Sequence, residues 1–414
     1  MTIQPIQRIT KCRVSRNSDL ISVVNLGEQA LTGVFPAFAD EAVSRGPLEL
    51  VWSPTSGLLQ LAHVFDPEEM YGDNYGYRSG LNGSMVAHLA KKVKHLESLV
   101  PLAAGDVVLD IGSNDATMLK AYGQDGLVRV GMDPTAKKFA EFYPDGYVLV
   151  PDFFSASAYH NAASKRAKIV TSIAMFYDLE DPVAFAREVS DVLADDGVWH
   201  FEQSYMPSML RTHSYDTICH EHVEYYSLGV VRRILSEAEF EIVDVTMNAV
   251  NGGSFAVTAR KARSLSDAPV VPVCHWLLEQ ETRMGLDSPA PFRRFEEEMY
   301  QHRDDLRRLL QRLHEAGKSV YGYGASTKGN VLLQFCGFGP DDITAIAEVN
   351  EDKFGRFTPG SKIPIVPEAE VRGAKPDYLL VLPWHFKSGI IEREKDFLAQ
   401  GGRMIFPFPE IEIV

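Results

Sequence analysis

An alternation of strand-like and helix-like segments between residues 105 and 261 most constrains the fold. Five apolar runs read as strands: "GDVVLDIGS", "LVRVGMDPT", "GYVLVPDFF", "AKIVTSIAMFYDL" and "DGVWHFEQSY". Two further strand-like runs, "FEIVDVTMNAV" and "GGSFAVTARK", follow with a tight connection between them. This order predicts a doubly wound α/β domain with a mostly parallel sheet. We expect the closing hairpin to add an antiparallel edge strand.

The chain has 414 residues, which is too long for one compact core. Residues 1–85 are irregular and end in the glycine- and tyrosine-rich run "MYGDNYGYRSGLNGS". A charged, helix-like stretch lies within 280–316, and a second strand–glycine loop–helix unit follows it. We therefore predict an N-terminal module (1–85), a central domain (86–265), and a linking helix with a C-terminal Rossmann-like α/β domain (266–414).

Charge and cysteine content narrow the class of protein. With 41 basic and 56 acidic residues, the formal net charge is −15, which disfavours non-specific binding to nucleic acids or anionic membranes. Neither an apolar leader nor an apolar run of membrane-spanning length is present. The four cysteines form no Cys-x-x-Cys pair. We expect a cytoplasmic protein without nucleic-acid or membrane partners, and the sequence leaves its oligomeric state open.

Polar residues and glycines stand where the first four strands of the central domain end. The loop "LDIGSND" matches neither a Walker phosphate loop nor a complete dinucleotide fingerprint. An acid after the second strand, in "GMDP", suits hydrogen bonds to ribose hydroxyls, and "VPDFF" could meet an adenine. The candidate cofactor-binding residues are Asp110, Gly112, Asn114, Asp133, Pro134, Asp152, Phe153, Ala174, Met175 and Tyr177. Their order resembles class I methyltransferases, which implies S-adenosylmethionine; another adenosine cofactor is the alternative.

The stretch "YDTICHEHVEYYSL" places His220, Glu221 and His222 side by side. Alternate residues of a regular helix cannot both face one metal ion, and no third ligand set is evident, so the pattern disfavours a metal site. General acid–base chemistry is favoured, because histidine titrates near neutral pH and an adjacent carboxylate can orient it. Structural imidazoles bonded to the backbone remain the alternative.

Four motifs, "LDIGSND", "YDTICHEHVEYYSL", "NGGSFAV" and "GYGASTKGN", together resemble the sugar C-methyltransferases. That family acts on nucleotide-linked 4-keto-6-deoxysugars, and the resemblance spans essentially the whole chain. It implies His222 as the base that forms an enolate, with Glu221 and His220 beside it. It also makes Tyr75 and Tyr77 candidates to hold the sugar or enolate oxygen. Methylation of oxygen or nitrogen, or a non-catalytic cofactor-binding subunit, remain alternatives.

The resemblance also exposes two departures from the family pattern. The family often has tyrosine three residues before the catalytic histidine, where this chain has Cys219. The family's N-terminal module carries two Cys-x-x-Cys pairs, which align here with "CRVS" and "SPTS". The four positions are Cys12, Ser15, Ser53 and Ser56. Neutral hydroxyls are poor zinc ligands, so we expect no metal in this chain.

The glycine loop "GYGASTKGN" begins the predicted C-terminal domain. Backbone amides at a helix start can bind an anion, and a lysine adds a positive charge. By resemblance, this domain would help to hold a nucleotide sugar. The candidate substrate-binding residues are Ser326, Lys328, Asn330, Trp384 and His385, the last two from "LPWHF". A loop that serves only as a helix N-terminus is the alternative.

Overall fold

The computed structural model describes residues 6–65, 70, 77–266 and 270–414. In this part of the chain, three sheets of four, seven and six strands form the framework, and a two-residue pairing adds to the first. None of the helices in these ranges is long and apolar enough to cross a membrane.

The N-terminal module is an antiparallel sheet that borrows a strand from the central part of the chain. Its own strands are β1 (Gln7–Arg8), β2 (Ile21–Ala30), β3 (Arg45–Trp52), β4 (Leu59–Leu61) and β5 (His63–Val64). The main sheet has the order β11-β4-β3-β2, where β11 is Glu224–Tyr225. Because β11 follows His222 by only one residue, the module's sheet fixes the loop that carries the His-Glu-His triplet.

The central sheet has the order β12-β13-β10-β9-β6-β7-β8. Its strands are β6 (Val107–Ile111), β7 (Val128–Met132), β8 (Val148–Val150), β9 (Ala167–Ile173), β10 (Leu193–Ser204), β12 (Phe240–Asn248) and β13 (Ser254–Lys261). All five residues of β6 are buried, as expected for a parallel strand covered on both faces. The order and the parallel pairing confirm the predicted doubly wound class I methyltransferase sheet.

The prediction that the antiparallel strand lies at the edge of the sheet is wrong. Strand β13 pairs antiparallel with both β10 and β12, so it lies one place inside the edge. The edge strand β12 consequently runs parallel to β10. The short connection between β12 and β13 accounts for this, since a hairpin must reverse the chain within the sheet.

Helices cover both faces of the central sheet and connect it to the C-terminal domain. They are α1 (Gly83–Leu99), α2 (Thr117–Lys120), α3 (Ala156–Ala162), α4 (Pro182–Val192), α5 (Met206–Thr212), α6 (Leu228–Glu237), α7 (Pro272–Met284) and α8 (Ala290–Glu315). The predicted long linking helix is α8. The predicted module boundary at residue 85 falls inside α1, which begins where the Asn82 side chain accepts a bond from Ser84 N.

The C-terminal sheet has the order β16-β15-β14-β17-β18-β19 and is parallel except for β19. Its strands are β14 (Val320–Tyr323), β15 (Ile346–Glu348), β16 (Ile365–Pro367), β17 (Tyr378–Val381), β18 (Arg403–Phe406) and β19 (Glu412–Ile413). Its helices are α9 (Thr327–Cys336), α10 (Glu368–Ala374), α11 (Lys387–Arg393) and α12 (Lys395–Ala399). One apolar core runs from the N-terminal sheet through α8 into this domain, and the rings of Trp52 and Phe292 lie 6.0 Å apart within it.

Candidate functional site

The first glycine loop closes on the acid at the end of β7. Gly112 has φ +75°, and a Cβ there would lie 3.2 Å from Met175 Cγ, so glycine allows the two strand ends to approach. The backbone N–H of Asn114 donates to Asp133 Oδ2 at 2.8 Å. Thr135 donates to Asp133 Oδ1 through both its backbone N–H and its hydroxyl, each at 2.7 Å. The carboxylate therefore holds the loop and begins the turn at Pro134.

Asp110 lies within strand β6 of the central sheet, one residue before the strand ends. It is buried, and the hydroxyl of Thr171 donates to its Oδ1 at 2.6 Å. Burial raises the pKa of Asp110 to about 7, and the charge of Asp133 adds to this increase. The hydrogen bond from Thr171 opposes the increase, because it stabilises the carboxylate. Asp110 thus supports the strand end from within the sheet, whereas Asp133 stands at the edge.

The third and fourth strand ends differ in exposure. Asp152 and Phe153 lie at the surface, and Phe153 is 55% exposed, which leaves its ring available to a ligand. Ala174, after β9, is exposed and has φ +54°, and its N–H donates to Glu202 O at 2.7 Å. Tyr177, in the turn that follows, is buried with its ring against His222.

The segment 77–81 covers the glycine loop. Ser79 N donates to Asn114 Oδ1 at 2.9 Å, and Asn114 Nδ2 donates to Tyr77 O at 3.1 Å. Gly80 N donates to Asp115 Oδ2 at 3.0 Å. The predicted Tyr77 is therefore held by its backbone beside the cofactor loop while its side chain is 48% exposed. The predicted Tyr75 lies outside the described residues.

The carboxyl edge of the central sheet fits S-adenosylmethionine. Gln203, at the end of β10, is buried, and neither amide atom has a hydrogen-bond partner among the described residues. Buried polar groups are normally paired, so an orphaned amide at this edge suits a polar ligand. With Asp133, Asn114 and the glycine approach at Gly112, this edge offers polar groups and close backbone approach for an adenosyl group and an amino-acid tail.

His222 is oriented by the backbone of its own loop. Its Nδ1 lies 3.0 Å from Thr217 O, and a carbonyl can only accept, so Nδ1 carries the proton. In the neutral ring Nε2 is then the basic nitrogen, and it has no hydrogen-bond partner in the described part of the chain. The Tyr177 ring packs on the imidazole at 4.3 Å. Burial, and to a smaller extent the charge of Lys328, lowers the pKa of His222 to about 3. The hydrogen bond to the Thr217 carbonyl acts in the opposite direction and raises the pKa.

Glu221 faces the N-terminal module, where Thr32 Oγ1 donates to Glu221 Oε2 at 3.3 Å. A Cβ on Gly33 would lie 2.5 Å from Glu221 Oε1, so a larger residue there would displace this carboxylate. Burial raises the pKa of Glu221. Hydrogen bonds from its own backbone, Cys219 and Thr32 act in the opposite direction and lower the pKa.

His220 points away from His222 into the core of the N-terminal module. It is fully buried, its Nε2 lies 3.3 Å from Gly46 O, and its ring meets Phe65 edge-on at 4.7 Å. Burial lowers its pKa to about 4. The chain bends at His220 and Glu221, so the two imidazoles, which would share one side of a regular strand, have different surroundings, and His222 is the one beside Tyr177.

The second glycine loop brings Lys328 to the same place. Lys328 Nζ donates to Asn251 O at 3.0 Å, and its charge acts on His222 and His385. Asp216 is buried beside it, and Trp384 Nε1 donates to Asp216 Oδ2 at 2.8 Å. Burial raises the pKa of Asp216 to about 6, and Lys328 opposes that increase. The central and C-terminal domains thus share one polar centre.

The remaining predicted substrate residues are Ser326, Asn330 and His385. The hydroxyl of Ser326 accepts from Gly329 N at 3.0 Å and begins α9. Asn330 is fully buried, and its Nδ2 donates to Thr32 O at 2.8 Å, which ties α9 to the N-terminal module. His385 is half-buried, and its pKa is lowered to about 3 by burial and then by Lys328.

The four presumed zinc positions are brought together, but their side chains do not fit zinc. Cys12 Sγ lies 3.2 Å from Ser56 Oγ, and Ser15 Oγ lies 3.5 Å from Ser53 Oγ. Ser53 also donates to Asp19 Oδ1 at 3.1 Å. Hydrogen bonds lower the pKa of the Cys12 thiol although burial opposes them. No cluster of three or more metal-ligating side chains of the His, Cys, Asp or Glu type occurs in the described ranges.

Several site residues were missed by reasoning from the sequence. Thr217 acts through its carbonyl, which leaves no sequence signal. Gln203 carried a usable signal, since it stands at the end of the strand-like run "DGVWHFEQSY", and Asp216 stands inside the motif "YDTICHEHVEYYSL". Tyr225 stands in the quoted motif itself, but nothing in its spacing distinguishes it from Tyr226.

The comparisons with known proteins agree with this geometry. Residues 12–71 match a putative zinc binding domain, 85–245 a methyltransferase domain, and 249–409 the C-methyltransferase C-terminal domain. C-methyltransferase NovU from Streptomyces niveus is 33% identical over 413 residues, covering 99% of this chain and 98% of the relative.

Two solved structures match part of the chain at low sequence identity. A putative methyltransferase in complex with the Haloferax volcanii Trm112 activator is 14% identical, covers 46% of this chain and 95% of its own, and has a TM-score of 0.35. Magnesium protoporphyrin IX methyltransferase from Synechocystis PCC 6803, with bound S-adenosylmethionine, is 13% identical. The match covers 42% of this chain and 77% of that protein, with a TM-score of 0.31. On its full-length relative and its three matched domains, the chain belongs to the S-adenosylmethionine-dependent C-methyltransferase family.

Proposed function

We propose that this C-methyltransferase acts on a nucleotide-linked 4-keto-6-deoxysugar through an enolate that His222 generates. The observation that carries the proposal is the tautomer of His222: Thr217 O holds the Nδ1 proton, so Nε2 is the free basic atom. A ketone acidifies the hydrogen on the adjacent carbon, and a positioned base is needed to remove it. S-adenosylmethionine supplies an electrophilic methyl group.

Lys328 gives the site its preference for an anion. Its charge lowers the pKa of His222, after the larger effect of burial, so the imidazole is neutral and able to accept a proton. A phosphate or an enolate oxygen beside Lys328 would offset that charge. The pKa of His222 would then rise toward its ordinary value, and the base would strengthen when substrate is present. This behaviour supports a substrate that carries negative charge, as a nucleotide sugar does.

The C-terminal domain supports recognition of the nucleotide. Trp384 and His385 follow β17 at the carboxyl edge of the C-terminal sheet, the edge where open α/β sheets bind ligands. Trp384 reaches Asp216, so a nucleotide held by this domain would present its sugar toward the loop of His222. The Trp384 indole is buried and hydrogen-bonded, so we assign it to positioning the two domains. We assign His385 and Lys328 to contacting the substrate.

Exchange of the hydrogen beside the ketone tests the base directly. The protein is incubated in deuterated water with S-adenosylhomocysteine and a panel of nucleotide-linked 4-keto-6-deoxysugars. Wild-type protein should incorporate deuterium into the reactive carbon, and His222→Ala should lose roughly 10²–10⁴-fold in rate, the usual contribution of a positioned base. His160→Ala is the matched control, because His160 lies at the surface and pairs with Asp191. Wild-type exchange rates in His222→Ala would contradict the assignment.

A further inference from the structure

A narrow cavity lies directly against the face of His222. Rings and methionines form one part of its lining (Tyr177, Met206, Met209 and Tyr225), and polar side chains form the other (Ser204, Thr217, His222 and Glu224). The cavity holds about 10 Å³, room for about one oxygen atom, so charge that develops inside is poorly screened by water. The cavity therefore needs its own hydrogen-bond donor if a substrate oxygen becomes negative there.

Tyr225 supplies a donor with no other use. The residue is 4% exposed, and its buried phenol O–H has no acceptor among the described residues, although the Cys219 backbone N–H approaches the phenol oxygen as a donor. Leaving such a group unsatisfied costs about 1–3 kcal/mol, so buried hydroxyls are normally paired. The adjacent Tyr226 is the contrast: its hydroxyl donates to Glu224 Oε2 and lies 3.4 Å from Phe176 O.

Strand pairing holds Tyr225 in place. Strand β11 pairs antiparallel with β4, with Tyr225 opposite Leu59, so its backbone is fixed by the N-terminal sheet. The ring belongs to the shared apolar core. A hydroxyl whose proton has no acceptor, held by so rigid a frame, is preorganised for a ligand, which is what stabilisation of developing charge requires.

Cys219 cannot fill this role. The thiol is 1% exposed and hydrogen-bonds to the Glu221 carboxylate, and burial raises its pKa well above the ordinary value. It also faces Tyr225, since its charge would act on the phenol. With the thiol engaged by a carboxylate, two hydroxyls without an acceptor remain at this wall among the described residues, those of Ser204 and Tyr225, and the more acidic phenol is the stronger donor.

We propose that Tyr225 is a further catalytic residue, whose phenol O–H donates a hydrogen bond to the ketone oxygen of the acceptor and holds it as the enolate forms. This rests on the proposed function. His222 Nε2 takes the proton from the carbon beside the ketone, the C–H electron pair becomes the new C=C bond, and the C=O π pair moves to the oxygen. The oxyanion accepts from Tyr225, which keeps its own proton because burial raises its pKa well above 10. The charge of Cys219 adds to that increase, and the Cys219 backbone N–H, which approaches the phenol oxygen as a donor, opposes it.

The test compares Tyr225→Phe with Tyr226→Phe, since each variant removes one hydroxyl from adjacent buried rings. The probe is dTDP-4-keto-6-deoxyglucose with S-adenosylhomocysteine in deuterated water. Tyr225→Phe should exchange roughly 10²–10³-fold more slowly, the usual loss for one donor to an oxyanion. Tyr226→Phe should exchange within about threefold of wild type, and the fold-change is the readout.

A stability measurement separates this role from a structural one. Tyr225→Phe should lose no more stability in urea than Tyr226→Phe, because the Tyr225 oxygen only accepts from the Cys219 N–H, whereas the Tyr226 hydroxyl donates to the Glu224 carboxyl. Slow exchange together with a larger loss of stability in Tyr225→Phe than in Tyr226→Phe would overturn the proposal, as would exchange at the wild-type rate. If wild-type protein neither exchanges nor methylates this sugar or others of the panel, the proposed function fails, and the role of Tyr225 fails with it.

Discussion

Lys328 and His222, 106 positions apart in the chain, lie close enough that the ammonium charge lowers the pKa of the imidazole. Lys328 lies in the first turn of α9 and His222 in the loop before β11, so the base of the central domain is tuned from the C-terminal domain. Lys328 is itself half-buried and bonded to Asn251 O at 3.0 Å, which fixes its position.

Lys328→Met should therefore raise the pKa of His222, because the protonated imidazole no longer meets a like charge. The acid limb of the kcat/KM profile should move to higher pH, and KM for a nucleotide keto sugar should rise about 10–150-fold if a charge-assisted bond of about 1.5–3 kcal/mol is lost. Lys395→Met is the control, because Lys395 lies at the surface and pairs with Glu392 at 3.1 Å. Titration of the His222 ring by NMR checks the sign: a lower or unchanged pKa in Lys328→Met would contradict it.

Asp133→Ala should weaken S-adenosylhomocysteine binding by about 1.5–3 kcal/mol. The carboxylate is a candidate acceptor for ribose hydroxyls, and its loss also frees the Asn114 N–H that closes the glycine loop. Asp152→Ala should cost less, because that exposed carboxylate bonds only to its neighbour's N–H at 2.8 Å. Isothermal titration of both variants decides the matter, and equal affinities for wild type and Asp133→Ala would rule out the assigned binding edge.

Asp110→Asn should stabilise the protein at alkaline pH. The pKa of Asp110 is about 7 in the folded state, against about 3.9 for an unperturbed aspartate. Its contribution to stability is fully present below about pH 4 and is lost as the pH rises through 7. Asparagine mimics the protonated carboxyl, so the gain over wild type should approach zero near pH 4. Near pH 8 it should reach a few kcal/mol at most, on the order of 1.4 kcal/mol for each pH unit between the unfolded and folded pKa values.

Urea denaturation at the two pH values measures this difference. The exposed Asp125 provides a control, because Asp125→Asn should leave stability unchanged at both. A gain for Asp110→Asn that is larger at pH 4 than at pH 8 would show that the sign is wrong.

Wild-type protein purified with zinc in the medium should hold well below one zinc per chain, because three of the four positions are hydroxyls. The positions are nevertheless adjacent, with Cys12 and Ser56 3.2 Å apart. The triple variant Ser15→Cys, Ser53→Cys, Ser56→Cys should consequently retain about one zinc per chain after dialysis against a chelator. Elemental analysis of both proteins checks this, and stoichiometric zinc in the wild type would contradict it.

The sequence predicted the central sheet because acids and glycines mark the strand ends, and the strands read as apolar runs. It could not predict that Glu224–Tyr225 joins β4, because a two-residue strand has no periodicity and its partner lies 164 residues away (Glu224 opposite Gln60). For the same reason it could not separate His220 from His222: the side to which each points is set by the borrowed pairing. Which residue orients the base was also hidden, since a backbone carbonyl leaves no trace in side-chain identity.

The borrowed strand β11 also determines how this enzyme could be recombined with its relatives. An exchange that replaced only residues 1–85 would leave a foreign β4 edge facing a native β11, and the register of Glu224 and Tyr225 would depend on a sheet that did not evolve with them. A slip of one residue would turn Tyr225 away from the base. Chimeras should therefore transfer the loop 213–226 together with the N-terminal module, so that the natural unit of exchange is discontinuous in the chain.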